Sequence, residues 1–247
     1  MHSIRRKQVN GRRYYEVKEN ETGKIIGLFP SITTVLGETS DKSGLDEWRK
    51  RVGEEEANRI SSLSLGRGNI LHRLLELYKP LEGEPEERLE LLKALMHKDK
   101  EIKKHIDYVQ DGWDFFMKFW HNHSRYFDRV KRVIEAETFL WSAKGGGYAG
   151  TTDNVSEMID GKILIIDYKN SRKPKRDEWI QDYFMQAAAY WVAYWERSGV
   201  KPDGAEIWIA NEIDNMPQTF TLTNEDIKYY FTLFTERLKA YKETANI

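Results

Sequence analysis

Alternating hydrophobic and polar positions near the start of the chain indicate β-strands. Residues 12–29 contain two such runs on either side of a polar turn at 20–23. Ser31 stands where a helix N-cap is favoured, directly before the apolar Ile32. We therefore predict that residues 1–44 form strands followed by a short helix.

Helical spacing of apolar residues follows. From Leu45 to about Arg129, apolar residues recur as they do on one face of a helix. The run KPLEGEPEE, at 79–87, interrupts this pattern with proline and glycine. We assign residues 45–132 to a helical region, and we expect the helices after Pro85 to form a wall or arch over a bound strand of substrate.

Strand-like runs dominate the last part of the chain, residues 133–247. They are VIEAETFLW, GGGYAGTTDNVSEM, KILIIDYK, GAEIWIANEI and MPQTFTLT. A long helix at about Asp177–Arg197 precedes the fourth run, and an amphipathic helix with Asn224 as its expected cap closes the chain. We predict a β-rich core flanked by helices, in a single domain over residues 1–247.

The third strand-like run ends in two opposite charges. In ILIIDYKNSRKPK, Asp167 and Lys169 are two residues apart and so share one face of a strand, whereas Tyr168 points to the other face. The apolar residues before them suit a central strand covered by helices on both faces. An acid and a lysine at the end of such a strand can project together into a cleft.

The turn that follows Asp153 decides whether a second carboxylate joins them. A two-residue Asp160–Gly161 hairpin would place Asp153 opposite Tyr168, on the wrong face. A three-residue loop at 159–161 would place Asp153 opposite Asp167, and such loops favour glycine at their last position. We expect the three-residue loop.

Two carboxylates that face each other repel unless a cation lies between them. Oxygen ligands favour Mg²⁺ or Mn²⁺, either of which lowers the pKa of a bound water and neutralises charge on a phosphate. Lys169 could orient or deprotonate that water, or stabilise the transition state, and the basic run SRKPKR could hold a phosphate backbone. Taken alone, an Asp-x-Lys at a strand end is usually an ordinary solvated ion pair, and that alternative stays open.

Composition narrows the classes of function. The net charge is −1, so a polyanion must bind to local basic patches. The absence of cysteine excludes disulfides, thiolate zinc sites and iron–sulfur clusters. No apolar run approaches the roughly 20 residues that cross a bilayer, and the basic N-terminus lacks the apolar stretch of a secretory signal. We predict an intracellular, cytoplasmic protein with no membrane association.

Four motifs occur in a set order along the chain: GRGNILHRLLE, YAGTTDNV, ILIIDYKNSRKPK and QAAAY. As a set they resemble the PD-(D/E)XK nucleases of the RecB type, and FPSITTVLGET is similar to the opening of phage exonucleases and of the mitochondrial genome maintenance exonuclease. The resemblance spans Phe29 to Tyr190. It implies an α/β fold with a restriction-endonuclease-like core, in which helices flank a mixed central sheet, and a helical N-terminal region.

The resemblance also implies a role for the motif residues. His72, Asp153 and Asp167 would bind the metal, the backbone carbonyl of Tyr168 would add a contact, and Lys169 would be the catalytic lysine beside the two aspartates. Without the resemblance, His72 would be taken for a partly exposed helical histidine.

Three further residues match positions near the site in such nucleases. Gln186 and Tyr190, four residues apart on one helical face, match a Gln-x-x-x-Tyr motif that lies beside the site and near DNA. Glu137 matches an acidic position on the first core strand, with a role that the resemblance leaves open. Alternatively, Gln186 and Tyr190 serve only in helix packing, and Glu137 is only an acid at the edge of the core. Asn170 departs from the threonine that often follows the lysine.

Single-stranded DNA is held by cations on the phosphates and by aromatic rings on the bases. Residues of these kinds flank the motifs, and a helix start, which also favours phosphate, lies near them. The candidates are Ser31, Thr33, Trp48, Arg49, Arg67, Lys173 and Lys175. Each of them could equally be an ordinary surface residue.

Together these expectations describe an Mg²⁺- or Mn²⁺-dependent exonuclease that hydrolyses single-stranded DNA from free ends, in a phage or prokaryotic repair or recombination setting. The sequence does not fix the oligomeric state, and we favour a monomer. Two alternatives stay open: a structure-specific endonuclease or resolvase on the same fold, and an inert DNA-end-binding module. The intact motif residues argue against the inert module.

Overall fold

A small sheet begins the fold. The computed structural model describes residues 2–245, so Met1, Asn246 and Ile247 of the predicted domain lie outside the described residues. The first sheet has the strand order β1 (His2–Val9), β2 (Arg12–Glu19) and β3 (Ile25–Pro30). β2 and β3 are the two predicted strands, and β1 adds a third at their edge.

Helices occupy the region where helical spacing predicts them. They are α1 (Ile32–Thr39), α2 (Ser43–Val52), α3 (Glu54–Tyr78), α4 (Pro85–Met96), α5 (Lys100–Lys104) and α6 (Val109–His121). Ser31 caps α1, because its hydroxyl accepts a 3.2 Å hydrogen bond from the N–H of Thr34. α3 ends directly before the run at 79–87 and α4 begins within it, so the run interrupts the helices as predicted.

A five-stranded mixed sheet forms the centre of the protein. Its strands, in spatial as well as chain order, are β4 (Val130–Ser142), β5 (Tyr148–Met158), β6 (Ile163–Ser171), β7 (Gly204–Asn211) and β8 (Gln218–Leu222). β6 and β7 are parallel and are connected through α7 (Gln181–Ser198), whereas the other neighbours are antiparallel. α8 (Asn224–Ala245) closes the described chain. The predicted α/β fold with a mixed sheet is confirmed.

Two apolar layers cover the central sheet. α1, α7 and α8 pack with Ile165 and Ile207 on one face. α3, α4 and α6 pack with Ile166 and Trp208 on the other. Each fully buried side chain of this size contributes about 1.5–3 kcal/mol of transfer free energy, so both layers hold β6 in place. β6 is therefore the covered central strand that its apolar residues predict.

The structure locates the helices after Pro85 and corrects the expected cap of α8. Leu92 of α4 and Phe119 of α6 belong to the apolar layer on the sheet, whereas Glu101 and His105 line a cleft with His72, so the wall or arch over a bound strand stays a prediction. The cap of α8 is Thr223 rather than Asn224, because Thr223 exchanges hydrogen bonds with Asp226 at its N–H and its hydroxyl. Within residues 2–245, no helix combines the length and the apolar character needed to cross a membrane.

Candidate active site

The hairpin between β5 and β6 places Asp153 beside Asp167. Asn154 pairs with Ile166 in the antiparallel ladder, so the next residue pair along both strands is Asp153 and Asp167. The N–H of Met158 donates a 2.8 Å hydrogen bond to the carbonyl of Lys162, which closes a three-residue loop at 159–161, and the glycine at its last position has a φ of 84°. This is the three-residue loop expected from the sequence, and the predicted register is confirmed.

Asp153 is buried, and its neighbours keep it ionised. Its Oδ2 accepts a 2.8 Å hydrogen bond from the N–H of Tyr168, and its Oδ1 lies 3.3 Å from Nδ1 of His72 on α3. Burial acts to raise the pKa of Asp153, but His72 and Lys169 outweigh it and hold this pKa well below its usual range. The contact made by Tyr168 is through its N–H, and metal coordination by its carbonyl stays a prediction.

His72 responds in the opposite direction. Burial alone would lower its pKa, but the charge and hydrogen bond of Asp153 raise it overall. The contact between His72 and Asp153 therefore favours the charged form of both residues.

Glu137 on β4 joins His72 and Asp153. One ligand atom from each of the three lies within 4.8 Å of the others. Glu137 has a φ of 48°, a left-handed conformation that residues other than glycine seldom adopt and that is often retained at functional sites. Burial and the charge of Asp153 raise the pKa of Glu137 to about 7, against the attraction of His72 and Lys79.

Asp167 is expected to bind the metal together with His72 and Asp153, and the structure places it beside that cluster instead. Within residues 2–245, the group of clustered ligand atoms contains Glu137 and not Asp167. Asp167 is held by its own neighbours: Oδ1 accepts a 3.1 Å hydrogen bond from Gln186 Nε2, and Oδ2 contacts the Lys169 ammonium as an ion pair.

Asp167 is buried, and the Lys169 side chain paired with it is 18% exposed. Burial raises the pKa of Asp167 to about 6, Lys169 counteracts this, and the charge of Asp153 adds to it. Burial would lower the pKa of Lys169, but the charges of Asp167 and Asp153 raise it overall. The Lys169 ammonium also lies 5.2 Å from the centre of the Tyr183 ring. Lys169 therefore remains protonated at neutral pH.

The donor set fits a hard divalent cation. One imidazole and two carboxylates converge, which are ligands that Mg²⁺ and Mn²⁺ accept. Asp167 Oδ2 is buried and accepts no hydrogen bond among the described residues, and the charge of the Lys169 ammonium beside it compensates this oxygen. His72, Glu137 and Asp153 are the residues that would hold such a cation, next to Asp167.

A family model of the PD-(D/E)XK nuclease superfamily matches residues 45–245. The chain belongs to this superfamily. The match includes every residue of the site described above, and it leaves out the N-terminal sheet. Nucleases of this superfamily generally use divalent metals, which agrees with the donor set.

Two solved structures resemble the nuclease only distantly. One is a protein from Eubacterium rectale described as a "Putative exonuclease", at 12% identity and a TM-score of 0.37, with 62% of this chain and 60% of that chain covered. The other is SSO0001, at 14% identity and a TM-score of 0.33, with 68% and 84% covered. The chain thus spans less than two thirds of the first of these. No curated protein matches it in sequence.

Gln186 and Tyr190 of the nuclease lie where the motif predicts, beside the site. Gln186 Nε2 donates to Asp167 Oδ1 and also, at 3.3 Å, to the hydroxyl of Tyr190. Both side chains are buried. Their geometry positions Asp167, and the DNA proximity implied by the motif stays a prediction.

The two arginines expected to bind DNA form ion pairs within the protein. Arg67 is 3% exposed, and its guanidinium meets Glu212 and, at 3.2 Å, Oδ1 of Asn170. Arg49 forms a bidentate ion pair with Glu54. Because these charges already have partners, the structure offers no free guanidinium at either position.

Of the other five expected DNA contacts, four lie at or near the surface and Ser31 is buried. The Ser31 hydroxyl caps α1 and lies 2.8 Å from the hydroxyl of Thr33, which is exposed. Trp48 is partly buried, and Lys173 is exposed. Lys175 is partly buried, which lowers its pKa. A DNA contact by any of them stays a prediction.

Lys79 is a neighbour of the site that the sequence patterns did not indicate. Its Nζ donates a 3.1 Å hydrogen bond to the carbonyl oxygen of Asp153 and lies 4.7 Å from the centre of the Tyr168 ring. Burial lowers its pKa to about 8, against the attraction of Asp153 and Glu137. The sequence spacing could have indicated this position, because Lys79 follows His72 by seven residues and residues seven apart lie on the same face of a helix.

Proposed function

We propose that this nuclease hydrolyses phosphodiester bonds of single-stranded DNA from free ends, with Mg²⁺ or Mn²⁺ as its metal. The observation that carries the proposal is the cluster of ligand atoms from His72, Glu137 and Asp153 directly beside the Asp167–Lys169 pair. When bound, a divalent cation would supply Lewis-acid stabilisation of the phosphate and a more acidic bound water.

Each protein group has a separate task in this proposal. His72, Glu137 and Asp153 bind the cation, which would displace the proton that Glu137 carries over part of the neutral range, since its pKa is raised to about 7. Asp153 needs no such displacement, because its carboxylate is already ionised. Asp167 supplies further negative charge at the site, oriented by Gln186.

Lys169 acts as a cation in this proposal and not as a base. Its pKa is raised, so its ammonium stays charged when a phosphate enters. A charged donor fixed beside the ligands stabilises the negative charge that develops on the phosphoryl oxygens in the transition state. Of the roles open to Lys169 from the sequence, the electrostatic one is therefore favoured.

Both the single-stranded substrate and the dependence on free ends rest on the resemblance of FPSITTVLGET and the four motifs to phage and mitochondrial exonucleases. A cleft of about 610 Å³ opens beside His72 and Glu137, and this is where the DNA strand would enter.

End-labelled linear single-stranded DNA and covalently closed circles of the same sequence test the proposal. We expect Mg²⁺-dependent loss of the linear strand, prevented by EDTA, and much slower loss of the circles. Lys169→Ala should lower the cleavage rate by about 100- to 1,000-fold. Lys162→Ala, at the exposed turn between the same two strands, should cleave at the wild-type rate.

The same assay separates the alternatives. Circles cut as fast as linear strands would reject dependence on ends and favour an endonuclease. DNA retarded in a gel by the wild-type protein without any metal-dependent cleavage would indicate the inert binding module. Loss of activity in Lys169→Ala together with a lowered melting temperature would remove the argument for a catalytic role.

A further inference from the structure

The N-terminal sheet forms one wall of the cleft beside the proposed metal ligands. Arg6 of β1 lines this cleft together with His72 and Glu137. The sheet lies before the residues that match the superfamily model, 45–245, so membership of the superfamily assigns no function to it.

The position of Arg6 is set by the strand pairing. Arg6 pairs with Tyr15 of β2, and residues directly opposite each other in an antiparallel pair share a face. Tyr15 is buried and meets the ring of Phe139 edge-on, with 5.7 Å between the ring centres. Phe139 lies on β4 two residues after Glu137. Tyr15 therefore connects Arg6, which shares its face of the N-terminal sheet, to Phe139, which follows Glu137 on β4.

The sheet itself is held firmly to the rest of the protein. The hydroxyls of Tyr14 and Tyr241 are 2.8 Å apart in the interior, and Ser31 forms a β-bridge with Ala149 of β5. Arg6 is therefore carried on a fixed support rather than on a loose terminus.

Arg6 is a guanidinium of the cleft without an acidic partner in the part of the chain that the structure describes. The other arginine of the cleft, Arg73, is paired with Glu76 and Asp99. Arg6 is exposed and contacts no carboxylate within ion-pair distance among residues 2–245. A cleft that also contains carboxylates needs such a cation to admit a phosphate.

Phe139 adds an aromatic surface that Tyr15 connects to Arg6: its ring packs on Tyr15, the strand partner of Arg6, and it is not itself among the residues that line the cleft. It is 42% exposed, unusual for a phenylalanine whose edge is already packed on Tyr15. Exposed rings beside a basic residue are the combination with which proteins bind unpaired bases and their phosphates.

We propose that Arg6 and Phe139 form a nucleotide subsite, in which Arg6 binds a phosphate and Phe139 stacks on the adjacent base. The inference rests on the proposed function and specifies its substrate: a base can stack on Phe139 only where it is unpaired, so the subsite selects single strands. The competing interpretation is that Arg6 merely protects the exposed edge of β1 from pairing with other chains.

Arg5 provides a matched control for Arg6. It is the adjacent residue on β1, it is also exposed, and it points to the opposite face, where it pairs with Glu16. Arg5→Gln and Arg6→Gln change the net charge equally, so a general electrostatic effect is the same in both. Phe139→Leu keeps an apolar side chain against Tyr15 and removes the stacking surface.

Binding of a labelled oligothymidylate to the full chain, measured by fluorescence anisotropy in EDTA, tests the subsite. We expect Arg6→Gln to bind about tenfold more weakly and to lower the slope of log K against log salt concentration by about 0.7, as for one lost contact to a single strand. Arg5→Gln should stay within about twofold of the wild type in affinity, because its face is turned away from the cleft.

Phe139→Leu should weaken binding of oligothymidylate by about five- to a hundredfold and leave binding of an abasic strand unchanged. Equal effects of Arg5→Gln and Arg6→Gln, or equal effects of Phe139→Leu on both strands, would overturn the subsite. If the wild type cleaves DNA and either of these results is found, the subsite is rejected and the proposed catalysis is kept. Binding that depends on Arg6 and Phe139, without metal-dependent cleavage, supports the subsite and rejects the proposed catalysis.

Discussion

Gly150 links the packing of the core to the geometry of the site, and replacing it with alanine tests that link. Gly150 lies on β5, three residues before Asp153. A Cβ at this position would lie 2.8 Å from Cε1 of Tyr190, and 3.2 Å from both the Tyr190 hydroxyl and Cδ1 of Ile32. Carbon atoms in contact are normally about 3.5–4.0 Å apart, so the ring must move by about 0.7 Å or more.

The displacement should affect stability and activity together. Overpacking of a buried position costs about 1–3 kcal/mol, which lowers the melting temperature of a chain of this length by about 2–12 °C. The hydrogen bond from Gln186 to Tyr190 is already 3.3 Å long, so a shift of the ring breaks it and leaves Gln186 held by Asp167 alone. A lost bond of about 0.5–1.5 kcal/mol predicts a roughly two- to tenfold slower cleavage.

Gly37→Ala is the control for the added methyl group. Gly37 is exposed on α1, and a Cβ there would meet no atom within 4 Å. Because alanine favours helix over glycine by up to about 1 kcal/mol, this variant should melt at or above the wild-type temperature and cleave normally.

Thermal unfolding and the rate of Mg²⁺-dependent cleavage of linear single-stranded DNA are measured for both variants. Gly150→Ala with wild-type melting and cleavage would refute the packing argument. A lowered melting temperature with an unchanged cleavage rate would show that Tyr190 does not position Gln186 for catalysis.

Three further outcomes are expected, each measured by urea unfolding. Arg73 lowers the pKa of Asp99 in the folded protein, so the Asp99 carboxylate stabilises the fold above about pH 4, the pKa of an unfolded aspartate. Asp99→Asn should therefore be less stable than the wild type above this pH, and the difference should vanish as the pH falls through the lower pKa of folded Asp99. A difference in stability that is independent of pH would contradict this. Gly161→Ala should cost about 1–2 kcal/mol, because its φ of 84° is left-handed, and an unchanged midpoint would mean that the loop can rearrange. Thr223→Ala should cost about 1 kcal/mol as the loss of a helix cap, and Asn224→Ala should cost less; the reverse order would restore Asn224 as the cap.

Features that depend on neighbours along the chain could be predicted from the sequence. The loop at 159–161 is local, and its glycine alone sets the register that places Asp153 opposite Asp167. The cap at Ser31 and the covered strand β6 follow in the same way from short-range pattern. The nuclease motifs also lie within such local elements, which is why the superfamily could be recognised before the fold was known.

Contacts between distant segments were decided only by the tertiary structure. Glu137 joins His72 and Asp153 because it lies across from Asp153 in the β4–β5 ladder, and its left-handed φ of 48° is a distortion that no spacing in the sequence encodes. Arg67 appeared to be a free cation until folding brought Glu212 to it, 145 residues away along the chain. Periodicity reports which face a side chain occupies, but its partner depends on how whole elements pack against one another.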